Sequence, residues 1–356
     1  MGQLCACARL VAFLCLVAVF ALSRTKNREK SIAEIESRAI SFYQQEKFSE
    51  AFTLYRQGAD LGSARSQTIL AYMYAFGQGT SRDPRQAFEW MSKAAEQGYA
   101  GAEVRLAMMY QNGIGTIQDY AQAITWFSKA AQQGDPNAEN GLGVLYCQGL
   151  GTKQDYAQAL AWFKRAAEQG YPRAENNLGF IYLKGMGVAI DQVRALSWFS
   201  KAADQGDPNA QHSLGSMYLT GSGTEQDYAK AIAWYSKAAE QGLAPAEDSL
   251  GIVYFKGLGT AQDFALAVKW FNRAAQQGLA SAENNLGYMY FKGLGVAQNR
   301  VQAHAWFLKA ADHGDAKAKE WLASTNQQIA PQFLPGLDTA NVRSQGEEAS
   351  AKLPQR

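Results

Sequence analysis

Histidine-based chemistry would have to run through His212, His304 and His313, the only imidazoles in the chain. A zinc hydrolase helix needs two histidines four residues apart, as in H-E-x-x-H, so that both rings reach one ion. None of the three has such a neighbour, so each reads as structural and no metal or cofactor ligand set is left. The aspartates Asp83, Asp119, Asp155, Asp191, Asp227 and Asp263 could suggest calcium, but calcium needs its carboxylates gathered in one loop. Spaced one every 36 residues, they read as helix N-caps. Gly-x-Gly loops could cradle phosphate, yet no G-x-x-x-x-G-K-[ST] string follows a strand, and each loop falls where a helix should end. Ser23 and Lys26 match Ser-x-x-Lys but lack the S-D-N and K-T-G companions that such a nucleophile requires. The expectation is a chain with no catalytic residue, no metal and no cofactor.

The elements behind these residues are set by repetition. Trp90, Trp126, Trp162, Trp198, Trp234, Trp270 and Trp306 recur every 36 residues, as do the glycine pairs from Gly77 and Gly79 to Gly293 and Gly295. The unit from Asp135 to Gly170 serves as the example. Asp135-Pro136 opens a helix, since the carboxylate accepts from free backbone N–H groups and proline at the first helical position loses no bond. Ala138, Leu142, Leu145 and Tyr146 then share one face of this A helix, which Gly149 ends. Asp155 caps a B helix whose apolar stripe is Tyr156, Ala159, Phe163, Ala166 and Ala167, with Trp162 on its flank. Gly143, Ala166 and Ala167 leave room for close backbone approach, and tryptophan and tyrosine fill the space between units. Lys184, Lys256 and Lys292 suit the negative end of helix A.

The repeats are bounded by departures from this register. Residues 1–23 read as a signal peptide or N-terminal anchor: Leu10 to Leu22 is continuously apolar but short for a span, and Ala21-Leu22-Ser23 suits cleavage before Arg24. Residues 24–63 are a linker and capping helical hairpin, because the step from Tyr43 to Ala51 lacks the double-glycine loop. Seven repeats cover 64–315, a closing helix covers 316–327, and 328–356 is expected to be disordered. Cys147 alone remains after cleavage, so no intrachain disulfide forms. A formal charge of +2 with alternating signs gives no basic stripe for nucleic acid.

The recurring string Ala174-Glu175-Asn176-Asn177-Leu178-Gly179, Tyr182, Gly185, Gly187, Asp191, Ala195, Trp198-Phe199, Lys201-Ala202-Ala203 and Gly206 closely resembles the Sel1-like repeat. Ala71 and Ala107, where later units have glycine, and Asn299, where others have aspartate, are mild departures. The resemblance implies an all-α fold, a right-handed α–α superhelical solenoid of Sel1-like, tetratricopeptide-related repeats. It further implies an adaptor for protein complexes, with exported bacterial members linked to envelope assembly or host-cell contact. The family's cysteine-rich branch carries paired cysteines in each unit, and this chain does not.

In solenoids of this kind the A helices line a concave wall. The residues after the register alanine would project there, and they are predominantly polar: Glu139-Asn140, Glu175-Asn176-Asn177, Gln211-His212-Ser213, Glu247-Asp248-Ser249 and Glu283-Asn284-Asn285. Asparagine both donates and accepts, so a row of them can hold an extended peptide backbone. The candidate partner-binding residues are therefore Asn140, Asn176, Asn177, His212, Asp248, Asn284 and Asn285, with a solvated helix face as the alternative. The expected partner is a protein or extended peptide, with no nucleic acid and no membrane except through an uncleaved leader. The expected location is periplasmic or secreted, or membrane-anchored with the repeats outside the cytoplasm. A hydrolase acting on cell-wall peptides is the competing class.

Overall fold

The computed structural model describes residues 28–333, with side chains through residue 324. The leader expected over 1–23 and the tail beyond 333 lie outside the described residues. Helix α1 covers 28–44. It is followed by α2 (Phe48–Asp60), α3 (Ala64–Phe76), α4 (Pro84–Glu96), α5 (Ala100–Asn112), α6 (Tyr120–Gln132), α7 (Pro136–Gln148) and α8 (Tyr156–Glu168). Next come α9 (Pro172–Lys184), α10 (Gln192–Asp204), α11 (Pro208–Thr220), α12 (Tyr228–Glu240) and α13 (Ala244–Lys256). The series ends with α14 (Phe264–Gln276), α15 (Ala280–Lys292), α16 (Arg300–Asp312) and α17 (Ala316–Phe333). No strand occurs among the described residues, and no described helix is long and apolar enough to cross a membrane.

The chain divides after Trp198 into two compact units. Within each unit, consecutive helices pack in series: α2 through α9 in the first, α11 through α17 in the second. Odd helices from α3 are the A helices, even ones the B helices. The closing helix α17 extends to Phe333, six residues past the expected boundary at Gln327.

Local chemistry explains the boundaries. Asp155 Oδ1 accepts from Ala157 N at 2.9 Å and from Gln158 N at 3.0 Å, and Asp135 Oδ1 caps α7 in the same way above Pro136. At the other end of α7, Gly149 adopts φ +69°, the left-handed conformation that closes a helix. The second loop glycine, Gly151, shares that φ of +69° and has a further reason: a Cβ there would lie 2.5 Å from Tyr120 Cβ, at the start of the preceding B helix. Gln154 Nε2 then donates to the free Cys147 carbonyl at 2.8 Å, and Asp155 N donates to Tyr146 O at 2.9 Å, so the A helix end is satisfied.

The core is built from alanines, leucines and one or two rings per repeat. Ala138, Leu142, Leu145, Ala159 and Ala166 are fully buried, with Phe163 nearly so. A Cβ on Gly143 would meet the Phe163 ring at 2.5 Å, so phenylalanine, and not the adjacent tryptophan, fills the space that glycine leaves. The repeat over 100–135 solves this differently. Ala107 stands in the glycine position, and the Phe127 ring lies against Gly141 of the next A helix, where a Cβ would meet it at 2.8 Å.

Candidate functional site

The first residue after each register alanine is buried and does not face outward, contrary to the expectation for Glu139, Glu175, Gln211, Glu247 and Glu283. The physical reason is a polar tie inside each unit. Gln169 Nε2, just past α8, donates to Glu139 Oε2 at 2.8 Å. Gln133 meets Glu103 at 2.8 Å, Gln277 meets Glu247 at 2.8 Å, and Gln97 and Gln241 meet Gln67 and Gln211 at 2.7 and 2.9 Å. His313 takes the glutamine position and contacts Glu283 at 2.8 Å. Burial pushes the Glu103 carboxyl above its ordinary range, an effect countered by the Lys129 ammonium and the Gln133 amide.

The tryptophans complete this tie. Trp126, Trp162, Trp270 and Trp306 are half-buried, and each packs against the apolar cluster around the preceding B helix. A cation one helical turn on covers the outer face of the indole: Lys129 lies 3.7 Å from the Trp126 ring centroid, Arg165 4.8 Å from Trp162. Where the cation is arginine it reaches further, so Arg165 and Arg273 pair with Glu139 and Glu247 at 2.9 and 2.8 Å.

The next two positions along the A helices form the row of candidate residues. Asn140, Asn177, His212, Asn284 and Asn285 are half-buried, and Asn176 and Asp248 are buried. Several bond to one another with a step of 37 residues, from one A helix to the next. In the first unit Asn177 Nδ2 donates to Asn140 Oδ1 at 2.8 Å. In the second, His212 Nε2 contacts Ser249 Oγ at 3.0 Å and Asn285 Nδ2 donates to Asp248 Oδ1 at 2.9 Å. Asn284 makes no side-chain hydrogen bond among the described residues; in α17 Trp321 takes the ladder position and stacks on Phe307 at 4.1 Å. Beyond this rung, the Asn140 amide donors and the Asn177 carbonyl have no side-chain hydrogen bond among the described residues.

His212, Ser249 and Asp248 are the residue types of an acyl-transfer triad, but their geometry is not a relay. The Asp248 carboxylate accepts from Asn285 and from Ser281, the latter at 2.9 Å, so both oxygens are taken by groups other than the imidazole. Burial pushes the Asp248 carboxyl up, countered by those two bonds, and pushes the His212 imidazole down. The His212 ring packs 5.4 Å from Tyr235, whose hydroxyl lies 3.0 Å from Ser216 Oγ. Tyr235 stands where five other repeats carry phenylalanine and one carries Met91, and Ser216 where the others carry apolar or aromatic residues. No group of three or more histidine, cysteine, aspartate or glutamate side chains suited to a metal occurs among the described residues.

Sequence reasoning missed the apolar stretch of the same face. In α3 and α5 the ladder positions hold Thr68, Ile69, Val104 and Arg105, and those one turn on hold Tyr72 and Met108. The run of amide and carboxylate side chains therefore begins at Asn140. The signal was present in the register and needed only alignment of the first two units with the later ones.

Eight consecutive segments match the Sel1 repeat: 38–63, 64–99, 100–135, 136–171, 172–207, 208–243, 244–279 and 280–315. The chain belongs to the Sel1 repeat family. The segment at 38–63 falls on the shortened hairpin expected to act only as a cap, while the other seven coincide with the 36-residue register over 64–315. A protective antigen present in uropathogenic Escherichia coli strains, displaying an SLR fold, is 33% identical at a TM-score of 0.64, covering 86% of this chain and 68% of that one. A Sel1 repeat protein from Oxalobacter formigenes is 32% identical at a TM-score of 0.64, covering 83% and 90%. No curated protein matches the chain. The helical pairs are thus Sel1 repeats of the all-α solenoid class, a class of repeat that generally mediates protein–protein interaction.

Proposed function

We propose that this Sel1 repeat chain is a non-catalytic, exported adaptor that binds protein or extended-peptide partners along its A-helix face. The observation that carries the reading is the amide ladder. Asn177 and Asn140 hold each other in fixed orientation, and the rung still offers donors and an acceptor to a peptide backbone. Asn285 bonds to Asp248 at the same 37-residue step in the second unit, where the Asn285 carbonyl remains open. The non-catalytic part is supported by the His212 environment, which lacks a carboxylate to orient the ring. Export is supported by the apolar run Leu10 to Leu22 and by the antigen character of the solved E. coli relative.

The test is capture of partners from the native envelope or culture fluid by the mature chain, followed by the same capture with Asn140→Ala, Asn177→Ala and Asn284→Ala combined. The proposal expects partner loss with the thermal unfolding midpoint held within a few degrees. Unchanged capture would move the site off the ladder. Mass measurement of the mature N-terminus separates a secreted chain from a membrane-tethered one, and robust turnover in a hydrolase screen would overturn the non-catalytic assignment.

A further inference from the structure

We infer that the first unit carries a two-part peptide site: one cavity takes an apolar side chain and the cavity beside it takes a carboxylate of the same segment. The inference rests on the partner-binding reading and names both the site and the chemistry of its occupant.

The first cavity, about 540 Å³, is walled by Tyr43, Tyr55, Tyr72, Phe76 and Gln78 from α1, α2, α3 and the loop after it. Tyr43 donates its hydroxyl to Gln78 Oε1 at 2.8 Å, which ties that polar rim together and leaves rings facing the space. Phe76 is 72% exposed and stacks on the Tyr72 ring with centroids 6.4 Å apart, so the two rings form one open apolar edge of the cavity. The second cavity, about 460 Å³, is lined by Arg105, Met108, Asp135, Asn137, Tyr171 and Arg173. Asp135 spends its Oδ1 on Asn137 N and Ala138 N, and Tyr171 donates to Asn137 Oδ1 at 2.8 Å. Arg105 and Arg173 are exposed, and neither has a carboxylate within ion-pair distance among the described residues. Two guanidiniums against one capping carboxylate leave this cavity net positive and supply forked donors for an acid.

The cavities adjoin at one contact. Arg105 lies 5.7 Å from the Tyr72 ring, and Tyr72 lines the aromatic cavity while Arg105 lines the positive one. An extended peptide places side chains of residues i and i+2 on one side about 7 Å apart. A segment with an aromatic residue and a glutamate or aspartate two to four positions apart therefore reaches both.

The experiment uses fluorescein-labelled, C-terminally amidated glycine/serine decapeptides carrying one Phe and one Glu two, three or four residues apart, titrated into the intact chain by fluorescence polarisation. At least one spacing should bind, and exchange of Glu for Gln or of Phe for Ser in that peptide should weaken it at least tenfold. Arg105→Gln with Arg173→Gln should erase the preference for Glu over Gln, and Phe76→Ser should erase the preference for Phe over Ser. All three residues are exposed, so circular dichroism and melting should match the parent chain. The inference is overturned if Gln peptides bind as well as Glu peptides, if the acid preference survives in the double arginine variant, or if no peptide binds. Capture of native partners that the ladder variants lose and the arginine variant keeps would leave the adaptor reading standing while this site fell.

Discussion

Arg165 places its guanidinium 2.9 Å from the Glu139 carboxylate, a group 1% exposed, while its own side chain stays half in solvent. The same guanidinium lies over Trp162 and approaches the Ala131 carbonyl at the end of the preceding B helix at 3.5 Å. One side chain thus joins the indole, the buried acid and the neighbouring repeat.

Arg165→Gln should therefore cost about 1–3 kcal/mol, because the buried Glu139 keeps only the Gln169 amide. In a Glu139→Gln background the loss should fall below about 0.5 kcal/mol, since no charge is then stranded. Gln67 and Gln211 hold this position with glutamine already. Urea unfolding of the four variants gives the coupling, and additive losses would disprove the tie.

Glu103 predicts a pH dependence. Its carboxyl is held above the ordinary value of about 4.5 by burial, so its contribution to stability is present below that value and is lost as pH rises through the folded value. Glu103→Gln should raise stability at pH 7, where the buried carboxylate is charged, and leave it nearly unchanged near pH 4. Denaturant midpoints at the two pH values decide; a gain of equal size at both would assign the effect to packing.

Trp162 is half-buried, and its Nε1 is buried with no hydrogen-bond partner. Trp162→Ala should cost about 3 kcal/mol, the low end for a large aromatic because the ring is partly exposed. Trp162→Phe should cost less than about 1 kcal/mol, since it keeps most of the ring and removes the orphaned donor. Comparable losses for both variants in calorimetry would contradict this placement.

Gly141 and Ala107 form a compensating pair around Phe127. Gly141→Ala should cost about 1–3 kcal/mol by overpacking against that ring. Ala107→Gly in the same chain should recover much of the loss, because the ring can then turn into the space used by Phe163 beside Gly143. A double-mutant cycle with no coupling would show that the two positions are independent.

The 36-residue register by itself determined the helix pairs, their caps at Asp155 and Gly149, the alanine faces and the family, because each depends on residue type at fixed short spacing. It also pointed to the polar row on the A helices. What it could not decide was which polar residues face outward. Glu139 and Asn140 are neighbours in the chain and both polar, yet one is buried beneath Gln169 and Arg165 while the other is held in a rung by Asn177. Those partners lie 26 to 37 residues away, and only packed backbones bring them within hydrogen-bond distance. The clustering of Tyr43, Tyr55, Tyr72 and Phe76 around one cavity has the same cause: the rings come from three helices, and their meeting point is a property of how those helices pack.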